Sequence, residues 1–388
     1  MLHSRIALCI VTLCLLAPTV ALPQDTQPAV PTSQPATLER IVIAPDGTSF
    51  ITEPSGTPFV AWGVNYDHDY DGLLLEDYWV EHWDTVVEDF HEIKALGANV
   101  VRIHLQVSAF MNGPDKPNEA SLAQLAKLVT LAEDVGLYLD LTGLGCYHKQ
   151  AVPAWYVELS EADRWKTQAA FWEAVAEVGA ESPAIFFYDL MNEPILPGGD
   201  KVETDWLGGA FAGKYFVQRI SLDLAGRTRE QVAKAWVDTL VAAIRKHDEQ
   251  HLITVGVIPW AHVWPTAKPL FYSPEVGENL DFVSVHFYPK KGEVEKALVA
   301  LKVYDIGKPL VIEEMFPLSC GADELLTFID SSRSYVDGYI SFYWGWTAEE
   351  YRNKEGATIG DAIVAEWLGT FEAKGREVVT HTGQAAKP

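Results

Sequence analysis

Short, continuous apolar runs alternate along most of this chain with longer segments whose apolar positions recur every three or four residues. The runs cover 59–65, 100–105, 137–141, 185–193, 252–258, 281–288, 309–314 and 338–344. They are rich in Val, Ile, Leu and Phe and apolar on both faces, the composition of strands buried inside a parallel sheet. The segments between them read as amphipathic helices over 84–96, 121–135, 160–178, 228–247, 294–303, 322–332 and 361–373. In the first, Val86, Val87, Phe90, Ile93 and Leu96 share one face. Two helix starts carry side-chain caps, Ser160-x-x-Asp163 and Thr228-x-x-Gln231. Ahead of the alternation, Pro45-Asp46-Gly47 and Pro54-Ser55-Gly56 punctuate 41–59 and predict a β-hairpin. Eight strands mostly separated by helices predict an α/β chain folded as a single-domain (β/α)8 TIM barrel, with the hairpin closing its bottom.

Polar and aromatic residues are not spread evenly over this pattern. They collect just after strand ends, at Asn65, His104, Asn192-Glu193, His286, Tyr288, Glu314, Trp344 and Trp346. The segments that lead into the strands are plain. In a barrel that asymmetry marks one active face, at the carboxyl ends of the strands. The loops expected on that face are long: 66–83, 143–159, 195–227 and 259–279. They carry Tyr70, Tyr78, Trp79, Trp83, Tyr147, Trp155, Tyr156, Trp206, Phe211, Tyr215, Phe216, Trp260, Trp264 and Tyr272. Taken singly, each of these is expected to be a packing residue. As a group they suggest a cleft lined with flat rings. Ile185-Phe186-Phe187-Tyr188-Asp189-Leu190-Met191-Asn192-Glu193-Pro194 is the most informative stretch. It reads as strand four, with the carboxylate at its last residue and Pro194 stopping the ladder.

Charge and targeting narrow the substrate. The 388 residues include 29 Lys and Arg against 54 Asp and Glu, a net charge of −25. That disfavours nucleic acid and anionic polymers and leaves a neutral partner. Residues 1–21 read as a signal peptide, with Arg5 ahead of an apolar run and Thr19-Val20-Ala21 at its end. The run is too short to span a membrane, so no integral segment is expected after its removal. Residues 22–38 are rich in Pro, Thr and Gln and read as a tether. The catalytic domain is then 39–388. The expected location is secreted or periplasmic, and the tether leaves surface attachment open. Nothing in the sequence reports the oligomeric state. Of four cysteines, Cys9 and Cys14 lie in the signal; Cys146 and Cys320 suit two free thiols at least as well as a disulfide.

Two carboxylates from different strand ends are what cleavage of a glycosidic bond requires: one donates a proton, the other attacks or activates water. Glu193 and Glu314, closing strands four and seven, meet that demand. Glu193 is the expected acid/base and Glu314 the expected nucleophile, whose negative charge helps keep Glu193 protonated. A separation of about 5–5.5 Å is expected, the retaining geometry. Asn192-Glu193-Pro194 after an apolar strand resembles the acid/base motif of the cellulase-like clan of barrel hydrolases, especially glycoside hydrolase family 5. The resemblance runs from about residue 41 to strand eight. It implies that Arg102 hydrogen-bonds the nucleophile, Asn192 binds the sugar 2-hydroxyl, His286 supports the acid/base, Tyr288 contacts the nucleophile and Trp344 forms the floor under the cleaved sugar.

The chain departs from the family pattern in two places. The His usual near the end of strand three is replaced by Asp140-Leu141-Thr142-Gly143, with His104 or His148 left to fill the space. After strand seven, Glu313-Glu314-Met315-Phe316 replaces the usual Gly-Glu, and the Glu-Glu pair looks more like mannan-cleaving members. Alternation along a strand allows one of the two glutamates to face the cleft; the family register favours Glu314 over Glu313. The resemblance implies a hydrolase of a neutral β-linked oligo- or polysaccharide, β-mannan or β-glucan, endo or exo. Transglycosylation on the same scaffold and a non-catalytic carbohydrate-binding barrel are the competing readings. No cofactor or metal is expected: paired-His zinc spacings are absent. Asp67-x-Asp69-x-Asp71-Gly72 copies half a calcium loop but has Tyr78 where the bidentate Glu belongs.

Overall fold

The computed structural model describes residues 38–66 and 68–380. The expected signal peptide, the expected tether up to residue 37, and Asp67 lie outside them. The barrel strands are Ala61–Asn65, Val100–Gln106, Tyr138–Gly145, Ile185–Asp189, a fifth in two pieces (Leu252–Thr254 and Gly256–Val257), Val283–His286, Leu310–Met315 and Gly338–Ser341. Every pairing among them is parallel. The first piece of strand five pairs with strand four and its second piece with strand six, so the broken strand closes the ring. The expected eight-stranded barrel is what forms, surrounded by helices.

Local signals fix the helix starts. Ser160 and Thr228 accept the backbone N–H groups of Asp163 and Gln231, and Asn118 caps the helix Glu119–Val135. Each such cap contributes about 1 kcal/mol. The expected hairpin is instead three antiparallel strands, Arg40–Ile43, Phe50–Glu53 and Pro58–Phe59. It seals the amino-terminal mouth. Phe50 inserts edge-on against Phe186 at 5.1 Å and Phe282 at 5.3 Å, and Phe59 packs on Phe186 and Tyr138. Full burial of one such ring is worth about 1.5–3 kcal/mol. Among the described residues, no helix is long and apolar enough to cross a membrane.

Candidate active site

Strand four ends earlier than the sequence suggests. Its ladder stops at Asp189, and residues 190–193 follow strand five: Leu190 N donates to Thr254 O at 3.0 Å and Glu193 N to Gly256 O at 2.9 Å. Glu193 therefore sits beyond the strand, with φ of 48°. That left-handed conformation costs a non-glycine residue about 1–2 kcal/mol. Pro194 does not stop the ladder either. It opens a two-residue strand, Pro194–Ile195, parallel to Gln218–Arg219. The turn holds the Glu193 side chain above the barrel mouth, partly open to solvent, rather than along a pleat.

Strand seven departs from regular pleating where the two glutamates meet. Val285 pairs with Ile312, but the next residue, His286, pairs with Glu314, and the register to strand eight also shifts there. The bulge adds a residue and breaks the two-residue period. Glu313 and Glu314 consequently both reach the same guanidinium: Arg102 Nε lies 3.2 Å from Glu313 Oε1, and Nη1 lies 2.6 Å from Glu314 Oε1. The alternation expected along the strand is thus broken, although only Glu314 opens toward the cleft. They differ in depth. Glu313 is sealed off, whereas Glu314 keeps a small exposed fraction.

All five donors of Arg102 are committed. Nε donates to Thr142 Oγ1 (2.8 Å), Nη1 to Asn65 Oδ1 (2.9 Å) and Glu314 Oε1, and Nη2 to Asp189 Oδ2 (3.0 Å) and Asn192 Oδ1 (2.8 Å). A guanidinium with its whole fork engaged is a rigid template. Tyr288 Oη donates to the other Glu314 oxygen at 2.7 Å. Burial and then the charge of Glu314 push that phenol well above its usual range, so it stays a donor. Glu314 thus receives a charge-assisted bond on one oxygen and a phenolic bond on the other, the environment of a held carboxylate.

His286 Nδ1 lies 3.0 Å from Glu193 Oε1 and 3.5 Å from Glu314 Oε1. Burial alone would lower its pKa, but Glu314, Glu193 and Glu313 around it raise it to about 10. One ligand-type atom from each of Glu193, His286 and Glu314 falls within 4.8 Å of the others. Among the described residues this is the trio compact enough to hold a metal ion, but its atoms are engaged with one another, with Arg102 and with Tyr288. The two carboxylates that the sequence singled out therefore converge, from strands far apart in the chain.

The other expected residues divide. Asn192 is buried, its Oδ1 on Arg102 and its Nδ2 donating to Phe216 O at 3.0 Å. His104 lies below, with Nε2 3.0 Å from Asn65 Oδ1 and Nδ1 against the Tyr147 hydroxyl. Burial and Arg102 hold it well below its usual pKa, hence neutral. His148 is on the surface near Asp77. Trp344 is not a floor: it is 1% exposed and packs edge-on against Tyr66 at 5.5 Å. Strand eight ends at Ser341, so alternation cannot be carried to position 344. The half-buried ring there is Phe342, 6.2 Å from Phe216. Of the loop aromatics, Tyr78, Trp79, Tyr147, Tyr156, Trp206 and Tyr272 are buried, Tyr70, Trp83, Trp155, Tyr215 and Phe216 half-buried, and Phe211, Trp260 and Trp264 open.

Asn65, which the strand-end pattern marks on the active face, holds Arg102 Nη1. Thr142 and Asp189 are site residues that the pattern does not mark: Thr142 is an ordinary polar residue in a strand, and Asp189 lies within an apolar run. Their signal was the polar residue type inside strands that face the barrel interior. Cys146 and Cys320 are free thiols. Asp69 closes its turn by accepting Leu73 N–H at 2.8 Å.

Comparison with known proteins agrees with this fold. The family model described as cellulase, glycosyl hydrolase family 5, matches residues 54–316. The chain is similar to mannan endo-1,4-beta-mannosidase 5 of Arabidopsis thaliana, 27% identical over 120 residues, 28% of this chain and 21% of that protein. It is 26% identical over 196 residues to an endoglycoceramidase of Hydra vulgaris, covering 49% of this chain and 32% of that one. The matched stretches thus span a third or less of these curated relatives. Among solved structures, an exo-beta-1,4-mannosidase from Opitutaceae bacterium strain TAV5 shares the fold, with a TM-score of 0.65 at 15% identity over 89% of this chain and 63% of that one. With the family model matching well over half its length, the chain belongs to glycosyl hydrolase family 5.

Proposed function

We propose that this chain is a secreted, retaining β-glycosidase that hydrolyses a neutral β-mannan or β-glucan by double displacement. The observation that carries the reading is the pair of carboxylates within 4.8 Å of each other in unlike surroundings. Glu314, fixed by Arg102 and Tyr288, attacks the anomeric carbon. Glu193, on His286 and partly open to solvent, protonates the departing oxygen and then deprotonates the incoming water. The close spacing favours direct attack over an intervening water, which needs about 6.5–9.5 Å between the carboxyls. The relatives' names, mannosidases above all, put mannan ahead of glucan. Secretion is proposed from the apolar leader at 1–21.

The test is hydrolysis of aryl β-mannosides and β-glucosides, followed by proton NMR of the first-formed product. Release of the β-anomer supports the mechanism; release of the α-anomer removes it. Galactomannan, carboxymethylcellulose and short oligosaccharides, read by product length, then separate sugar and mode of attack.

A further inference from the structure

Beneath the Glu193–Glu314 pair lies a second pair of acids that the proposed reaction does not use. Asp140, on strand three, and Glu313, on strand seven, are both fully buried. With Asp189 and Glu314 they place four carboxylates within 3.3 Å of one guanidinium. Even with the protonated His286 beside Glu313 and Glu314, two positive charges face four buried carboxylates.

Hydrogen-bond accounting locates the excess. Asp140 Oδ2 is 3.3 Å and Glu313 Oε1 3.2 Å from Arg102 Nε. The single proton of Nε is already given to Thr142 Oγ1. These two oxygens are the carboxylate atoms of the cluster left without a hydrogen-bond partner, yet their side chains are within bonding reach of each other. Two buried lone-pair-bearing oxygens beside the same Nε, which has no proton left for either, are satisfied by a proton held between the two side chains. The other oxygens are occupied: Thr142 Oγ1 lies 3.3 Å from Asp140 Oδ1, and the Ser284 hydroxyl donates to Glu313 Oε2.

We propose that Asp140 and Glu313 share one proton under the active site, and that Glu313 is a positioning residue: it supplies the anion opposite His286 Nε2 and so keeps the His286 Nδ1 proton on Glu193 Oε1. The inference rests on the glycosidase reading of Glu193 and Glu314. Its consequence is directional. With Nδ1–H on Oε1, the proton of the acid Glu193 stays on the outer oxygen, toward the leaving group; an imidazole lacking that proton would accept it instead. Glu313 Oε2 is 3.6 Å from His286 Nε2, itself otherwise unpartnered.

The shared proton resides on Asp140. Burial and then Glu313 hold Asp140 well above the carboxylate range; at Glu313, burial is outweighed by Arg102 and His286, which bring it to about 2. The charged or titratable groups facing the pair and His286 are Arg102, His104, Asp189, Glu193, Tyr272 and Glu314. Room for the arrangement comes from Gly256. A Cβ there would lie 2.5 Å from Glu313 Oε2 and 2.7 Å from His286 Nε2.

The experiment pairs a spectrum with a pH profile on the full chain. The infrared difference between wild type and Asp140→Asn at neutral pH should contain the C=O stretch of a neutral carboxylic acid, whether or not the protein turns over substrate. In kcat/KM profiles on an aryl β-glycoside, Glu313→Gln should lose about tenfold or more and move the alkaline limb to lower pH, while Asp140→Asn, keeping a neutral donor, should lose less than about threefold. If Glu313→Gln fails to fold, Ser284→Ala should move the same limb in the same direction. Absence of the acid band overturns the shared proton. An unmoved limb in the folded variant overturns the positioning role. A wild type inert on every glycoside but showing the band would sink the glycosidase reading and leave the shared proton standing.

Discussion

The two ends of one barrel solve opposite problems with the same eight strands. At the amino-terminal mouth, Phe50, Phe186, Phe187 and Phe282 stack edge to face under the hairpin. At the carboxyl-terminal mouth, Arg102 and four carboxylates fill a similar position with charge. The first end gains from area removed from water and from ring geometry. The second bears the desolvation of at least five ionisable groups, and well-packed apolar residues would be expected to stabilise it as well or better. The difference teaches where each kind of substitution should register: stability at the bottom, turnover at the top.

The sharpest break of that comparison is at Glu314. Glu314→Ala should lower kcat by at least about a thousandfold on aryl glycosides, because it removes the carboxylate that Arg102 and Tyr288 hold for attack. Glu313→Ala should leave measurable turnover; the reverse pattern would exchange their roles. At the other end, Phe186→Ala should cost about 3–5 kcal/mol in denaturant unfolding and leave kcat of the folded fraction nearly unchanged. A large loss of kcat at equal folded fraction would show that the two ends are coupled.

Gly256→Ala lies between these extremes. Its methyl group would press on Glu313, His286 and Asp189, so it should cost about 1–3 kcal/mol and lower kcat together with it. Urea unfolding alongside initial rates reads both.

A pH-dependent effect sharpens the electrostatic side. His286 titrates near 10 in the folded chain and near 6.5 when exposed. A raised pKa means the folded state binds the proton more tightly. The resulting stability is fully present below about pH 6.5 and is lost as pH rises through about 10. The melting-temperature gap between wild type and His286→Asn should therefore shrink across that window. A gap that widens with pH would mean the imidazole is neutral.

Strand order, helix caps and the approximate ends of most elements were legible because they are written in local period and in capping residues such as Ser160 and Thr228. Residue type at strand ends pointed to Glu193, Glu314, His286 and Tyr288, the family resemblance added Arg102, and tertiary structure brings all five together. The errors share a cause. The family resemblance put Trp344 under the sugar, but burial depends on what packs over a loop, which no local pattern carries; the loop rings, each expected singly to pack, mostly do so in full or in part. Alternation was extended through Glu313-Glu314, where a bulge cancels it.

By itself, then, the sequence determined the barrel, its active face and the residues able to do acid–base chemistry, since period and composition are properties of single segments. Tertiary structure alone decided that Glu193 stands off its strand on a left-handed turn, that adjacent glutamates both face inward, and that Asp140 and Glu313 meet across Arg102. Those outcomes depend on hydrogen bonds between strands three, four, five and seven, whose partners are far apart in the chain and become neighbours when the ring closes.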